Sequence, residues 1–298
     1  MQSRTRGVVL ALVSALGFGT LAIFGRLSEI VGLSLPSLLA FRFALATPLV
    51  WLPLLYRGRL ERLQGRDLGI AVLLGAGGYA AMSFFFLTGV NIVGAGLGAI
   101  VLYIYPALVV VLAAVFLEER VTKLIVAAVA IAVAGVGLVV TGQPATVDFL
   151  GIGTVLLAAV VYAGYITLSG TILDRVSATV LTAHVIPAAS VTFILHGLFT
   201  GSAQVPATPE QWGVVLGIAL FATAIPILTF FAAVTHIGAS RTSIVSTLEP
   251  VFTVFLGALL LGESLSVVSV VGGLAVLSGV VLVQYERARV TDPAESSP

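Results

Sequence analysis

The chain contains no cysteine, which excludes disulfides, thiolate metal centres and cysteine nucleophiles. Charge is scarce as well. Asp, Glu, Lys and Arg together make up 9% of the 298 residues, against roughly 25% in ordinary soluble domains. The three histidines lack metal-site spacing, so no metal and no cofactor are expected. A net charge of +1 gives nucleic acid nothing to hold, and no such partner is expected. H-E-x-x-H, G-x-S-x-G, paired membrane aspartates and the phosphate-binding G-x-x-x-x-G-K-[ST] are all missing. Those absences argue against an enzyme and against ATP-driven transport within this chain.

What the chain has in abundance is apolar sequence, 59% of all residues. Runs of about 20 apolar residues recur from end to end, each long enough to cross about 30 Å of hydrocarbon. The first follows Arg4 and Arg6. It runs too long for a signal peptide and lacks a small-residue cleavage site, so it reads as a retained span. The runs are continuous rather than alternating, which predicts helices and not a barrel. Ten are expected, at about Gly7–Leu27, Pro36–Tyr56, Asp67–Thr88, Gly94–Leu117, Thr122–Thr141, Phe149–Gly170, Thr179–Thr200, Gln211–Thr235, Ala239–Leu261 and Ser266–Tyr285.

Basic residues give these spans a direction. With the N-terminus in the cytoplasm, 12 of the 14 Lys and Arg fall in inner loops or tails. The exceptions, Arg26 and Arg42, lie within or at the edge of spans. This is the positive-inside pattern, and one missed span would scramble it. The expected location is therefore the cell (inner) membrane, multi-pass, with both termini cytoplasmic.

A shift of 144 positions lays Gly94 on Gly238, Ala95 on Ala239, Pro106 on Pro250, Glu119 on Glu263 and Gly135 on Gly279. The same shift pairs Phe18 with Tyr162 and Tyr105 with Glu249. Five spans per unit is an odd number, so the second copy enters from the opposite side. The expected organisation is one five-helix unit over 1–143, an inverted one over 144–286 and a short tail at 287–298. Inverted repeats of this kind build transporters that open to either side of a central cavity. Glu119 and Glu263, at the hairpins between the fourth and fifth helix of each unit, are expected to stabilise the N-terminus of the next helix.

The segments L-Y-I-Y-P-A-L-V-V-V-L-A-A-V-F-L-E-E and S-T-L-E-P-V-F-T-V-F-L-G-A-L-L-L-G-E resemble the two signature regions of EamA-type proteins of the drug/metabolite transporter superfamily. The resemblance spans roughly Val8 to Tyr285. It implies two inverted five-helix repeats and carriage of small metabolites. Within the superfamily the chain is most similar to the YddG-type exporters of aromatic and other amino acids. Relatives there carry nucleotide sugars, drugs or lipid-linked sugars, and a carrier or flippase for such a class is the alternative reading.

Carriers of this design bind substrate near the bilayer midplane. Mid-helix polar and aromatic residues are thus the candidates for a substrate cavity: Phe18, Arg42, Tyr79, Ser83, Tyr103, Tyr162, Tyr165, His184, Ser246 and Glu249. Tyr162, Tyr165 and Ser169 share one helix face at i, i+3 and i+7, and Tyr79, Ser83 and Phe86 share another at i, i+4 and i+7. For any single ring, ordinary bundle packing is the competing reading. A carboxylate at mid-membrane costs roughly 2.5–3.5 kcal/mol, so Glu249 must face protein or water. It is open to proton coupling, to binding a substrate ammonium, or to steadying the helix break at Pro250. Arg42 could recognise a carboxylate, snorkel outward or pair with Glu249. Pro106 and Pro250, at matching repeat positions, are the hinge candidates. The Gly-rich faces of the fifth and tenth helices could pack within one chain or between two, so monomer and homodimer both stay open.

Overall fold

The computed structural model describes residues 2–58, 61–116, 122–141, 148–173, 175–202 and 204–291. Among these residues every regular element is helical and none is a strand. Nine stretches of the described residues are long and apolar enough to cross a membrane: α1 (Arg4–Ile30), α2 (Leu35–Tyr56), α3 (Gly65–Val93), α4 (Ala95–Phe116), α6 (Phe149–Leu173), α7 (Ala178–Thr200), α8 (Pro209–Ile237), α9 (Arg241–Leu261) and α10 (Val267–Glu286). A shorter apolar helix, α5 (Lys123–Thr141), lies between α4 and α6. Its 19 residues reach about 28 Å at 1.5 Å per residue. Each label counts through local breaks in the helix.

The helices pack in antiparallel pairs. α2 lies on α7, with Trp51 Nε1 donating to the Ala183 carbonyl at 2.6 Å and Phe43 stacked on Phe193. α1 lies on α8, where Ser14 Oγ donates to the Pro226 carbonyl at 2.9 Å. α3 pairs with α6 and α5 with α10. The α5–α10 crossing is close enough for backbones to touch. A methyl on Gly135 would sit 2.7 Å from the Gly272 carbonyl, and one on Gly279 would sit 2.6 Å from the Ala128 carbonyl. Small residues are what allow such approach between membrane helices. The glycine faces left open by the sequence are therefore largely used inside one chain, although Gly137 meets nothing and Gly273 faces Ile100 instead.

The backbone breaks recur at the same spacing as the sequence. α4 is interrupted after Leu102 and resumes at Tyr105, directly before Pro106. α9 is interrupted after Ser246 and resumes at Glu249, directly before Pro250. Proline lacks the N–H that would continue the ladder, so the helix yields on its N-terminal side. Gly94 and Gly238 precede the two helices with φ 91° and 80°. α3 and α8 each carry a π turn, Leu74–Tyr79 and Leu220–Ala224. The first contains the Gly75–Gly78 cluster. By contrast, Pro48, Pro53 and Pro187 sit inside continuous helices.

Candidate functional site

A cavity of about 530 Å³ lies between α1, α3, α4 and α6–α10. Its deep end is set by Phe18, Tyr103, Tyr105, Tyr162 and Glu249. From there it runs past Ser169 and Leu173 at the end of α6, Ala178 and Thr182 at the start of α7, and Gln284 near the end of α10. All of these ends lie on the face where α1 begins, called here the N-terminal face. No lining residue comes from the opposite, distal ends of the helices.

Five of the seven tyrosines form one continuous arc. Ring centroids run Tyr79–Tyr165 at 5.6 Å, Tyr165–Tyr162 at 5.9 Å, Tyr162–Tyr105 at 4.5 Å and Tyr105–Tyr103 at 5.6 Å. The other two, Tyr56 and Tyr285, are exposed near helix ends. Tyr103 closes the arc by donating its hydroxyl to the Ser246 carbonyl, a group freed by the break in α9. Aromatic faces beside hydroxyl groups bind amphipathic solutes well. Glu249 stands at the end of this arc, half-buried. It is the only Asp, Glu, Lys, Arg or His among the lining residues. No hydrogen bond to its carboxyl group is found among the described residues.

The sequence candidates divide between cavity and packing. Phe18, Tyr79, Tyr103, Tyr162, Tyr165, Ser246 and Glu249 line the cavity, as does the hinge candidate Pro106. Pro250 is buried behind the wall. Three candidates stand elsewhere. Met82, three residues after Tyr79, takes the wall position expected of Ser83, whose hydroxyl is buried with no partner. His184 is a packing residue: its Nδ1 pairs with the Val180 carbonyl at 2.9 Å and its Nε2 accepts the Leu63 N–H at 3.4 Å. Arg42 is fully buried outside the wall. Its Nε donates to Thr223 Oγ1 at 2.9 Å, and its guanidinium carbon lies 4.6 Å from the Phe43 ring centre. Neither Nη atom has a hydrogen-bond partner among the described residues. Tyr105 was visible in the sequence only as the repeat counterpart of Glu249, yet it is a member of the arc, between Tyr162 and Tyr103.

Cross-ties close the distal face. Arg26 Nη1 pairs with Glu29 and also donates to the Asn91 carbonyl at 2.8 Å, joining α1 to α3. Gln211 Nε2 donates to the Val31 carbonyl at 3.0 Å, joining α8 to the end of α1. Glu263 receives the N–H groups of Ala95 and Gly96 at 2.7 and 2.8 Å. It thus caps α4, in the other half of the chain, and not the following helix as its sequence position suggests. The first turn of a helix leaves four amides without intrahelical partners, and a carboxylate there also meets the positive end of the dipole. Glu119 lies outside the described residues.

The sequence profile of the EamA-like transporter family matches residues 5–141 and again residues 149–285. The chain belongs to that family. The two matches begin and end 144 residues apart, the offset read from the repeated glycines, prolines and glutamates. Among similar proteins, the uncharacterized transporter YcbK of Bacillus subtilis (strain 168) is 28% identical over 95% of this chain and 94% of its own length. A probable terminal-alkyne amino-acid exporter of Streptantibioticus cattleyicolor is 29% identical over 75% of each chain. A solved crystal structure aligns with a TM-score of 0.66 at 19% identity, covering 98% of this chain and 99% of the other, and so shares the fold. The EamA-like chain is thus a multi-pass membrane transporter of a small-molecule substrate.

Proposed function

We propose that this protein is a secondary transporter that exports small metabolites by alternating access, amino acids including aromatic ones foremost. All ten apolar helices cross the membrane in this reading, as two inverted five-helix repeats divided near residue 143. Both termini lie in the cytoplasm of a cell whose inner membrane holds the protein, because the basic residues gather on that side. The N-terminal face is then cytoplasmic, and the described cavity is open inward. The antiparallel α2–α7 and α5–α10 pairs support inversion, since each joins elements related by the repeat offset.

One observation carries the substrate class. The cavity wall combines a five-ring tyrosine arc with a single carboxylate for which no hydrogen-bond partner is found among the described residues. A substrate ammonium can sit on Glu249 while an apolar or aromatic side chain lies along the rings. Nucleotide sugars and lipid-linked sugars carry phosphates, and the wall offers no Lys, Arg or His to receive one. That disfavours the phosphate-bearing alternatives, and leaves a drug carrier as the second reading. Similarity to YddG-type exporters, and to a relative named for amino-acid export, points the same way. Pro106 and Pro250 are the proposed hinges, since each follows a break in a cavity-lining helix.

The test is flux into and out of liposomes holding the purified protein. The panel comprises phenylalanine, tryptophan, leucine, a sugar and a nucleotide sugar, with and without a pH gradient. Saturable amino-acid flux is expected, strongest for the aromatic members. Movement of the nucleotide sugar without any amino acid would overturn the substrate class and leave the fold untouched.

A further inference from the structure

An amino acid has two charges, and the described cavity serves one of them. Among the described residues the fully buried cation is Arg42, in the closed distal half, with no hydrogen-bond partner found for either Nη group. A buried guanidinium with no carboxylate partner among the described residues is costly, so its retention needs a reason. The Ser83 hydroxyl is likewise buried without a partner. The repeat offset supplies that reason. Ile186 stands 144 residues after Arg42, Ile227 the same distance after Ser83, and Thr223 the same distance after Tyr79. Ile186, Ile227 and Tyr79 all line the present cavity. Arg42, Ser83 and Thr223 are therefore the repeat counterparts of three wall residues. When inverted repeats exchange conformations, the counterparts of the old wall become the new wall. Tyr105 and Glu249 are counterparts of each other and both line the deep end, so that end is shared by both states.

We infer that Arg42, with Ser83 and Thr223, forms a carboxylate-binding site that opens to the distal face as the described cavity closes. The inference rests on the alternating-access reading above. A carboxylate fits because the guanidinium fork is planar, and with its Nε held by Thr223 both Nη groups remain for bidentate pairing. The two states then differ in chemistry. The cavity open to the N-terminal face shows a lone carboxylate, whereas the distal one adds a cation, positioned by Thr223, and the Ser83 hydroxyl.

The absence of cysteine makes the test direct, because single thiols can be placed without background. Thiols react as thiolates, which form where water reaches. In membrane vesicles of both orientations, S83C is expected to react with a membrane-impermeant maleimide from the distal face, and T182C from the N-terminal face. Phenylacetate is expected to slow S83C labelling about tenfold, whereas phenylacetamide, lacking the charge, leaves it unchanged. R42Q should abolish the phenylacetate effect and R42K should keep part of it. S83C inert from the distal face while T182C reacts would overturn the proposal. So would equal protection by acid and amide, or protection that survives R42Q. If R42Q does not fold, the acid–amide comparison in S83C with and without R42K decides. Protection is read without transport, so a protein that moves no amino acid can still show this site, and the two readings fail separately.

Discussion

Replacing Glu263 with glutamine should release the distal face. Its carboxylate holds the Ala95 and Gly96 amides at 2.7 and 2.8 Å, and so ties the α9–α10 hairpin to the start of α4. Hydrogen bonds to a charged group contribute about 1.5–3 kcal/mol each, against about 0.5–1.5 kcal/mol between neutral groups. Glutamine keeps one carbonyl acceptor and turns an NH2 toward the second amide, where two donors then face each other. Glu263 is only partly buried, so solvent can replace some of the loss. A net loss of about 1.5–3 kcal/mol from the distal-closed state remains, or roughly a 10- to 100-fold shift toward the distal-open state. The assay is the labelling rate of S83C from the distal face, measured with and without E263Q. A rise of about tenfold or more is expected. An unchanged or slower rate in a variant that elutes as a folded species would refute the idea that this cap clasps the distal gate.

Further consequences follow from other contacts. By the 144-residue offset Glu119 is the counterpart of Glu263, so E119Q should shift the balance the other way and slow S83C labelling. G272L should destabilise the protein by about 3 kcal/mol or more, because the smallest added side chain atom already lies 2.7 Å from the Gly135 carbonyl; thermal unfolding in detergent reads this. Y162A removes the ring that joins both arms of the tyrosine arc, so half-saturation for phenylalanine should rise about tenfold and that for alanine much less. E249Q should weaken amino acids about tenfold in counterflow but leave phenylacetate, which has no ammonium, unaffected.

The repeat was the most legible part of this molecule. Glycine, proline and glutamate at a constant offset are hard for lipid-facing apolar sequence to mimic, and the backbone repeats them as paired breaks at Tyr103–Ile104 and Thr247–Leu248. The wall of the cavity was partly legible. Phe18, Tyr162, Tyr165 and Glu249 could be found because polar or aromatic side chains at mid-span need a reason to be there. Ser83 was assigned to the wall and does not line it, because helical spacing places it near the Tyr79 face without saying which neighbour covers it. His184 reads as a titratable group in sequence, but its two nitrogens are spent on backbone atoms of its own helix and a loop. The clasp made by Glu263 joins residues 168 positions apart and leaves no local signature. Arg42 was visible as a buried charge; what the fold adds is that it lies behind the wall, its Nε on Thr223, a residue of the α8 π turn whose hydroxyl donates to the Ile218 carbonyl.

The central claim is that one cavity serves both faces in turn, for amino acids. Counterflow measures this most directly. Proteoliposomes are loaded with unlabelled phenylalanine and diluted into a trace of labelled phenylalanine. A carrier that alternates must accumulate label transiently above its outside concentration. Accumulation that is saturable, and weakened by E249Q, is the expected result. Label that only equilibrates, at a rate indifferent to the internal load, would contradict the account.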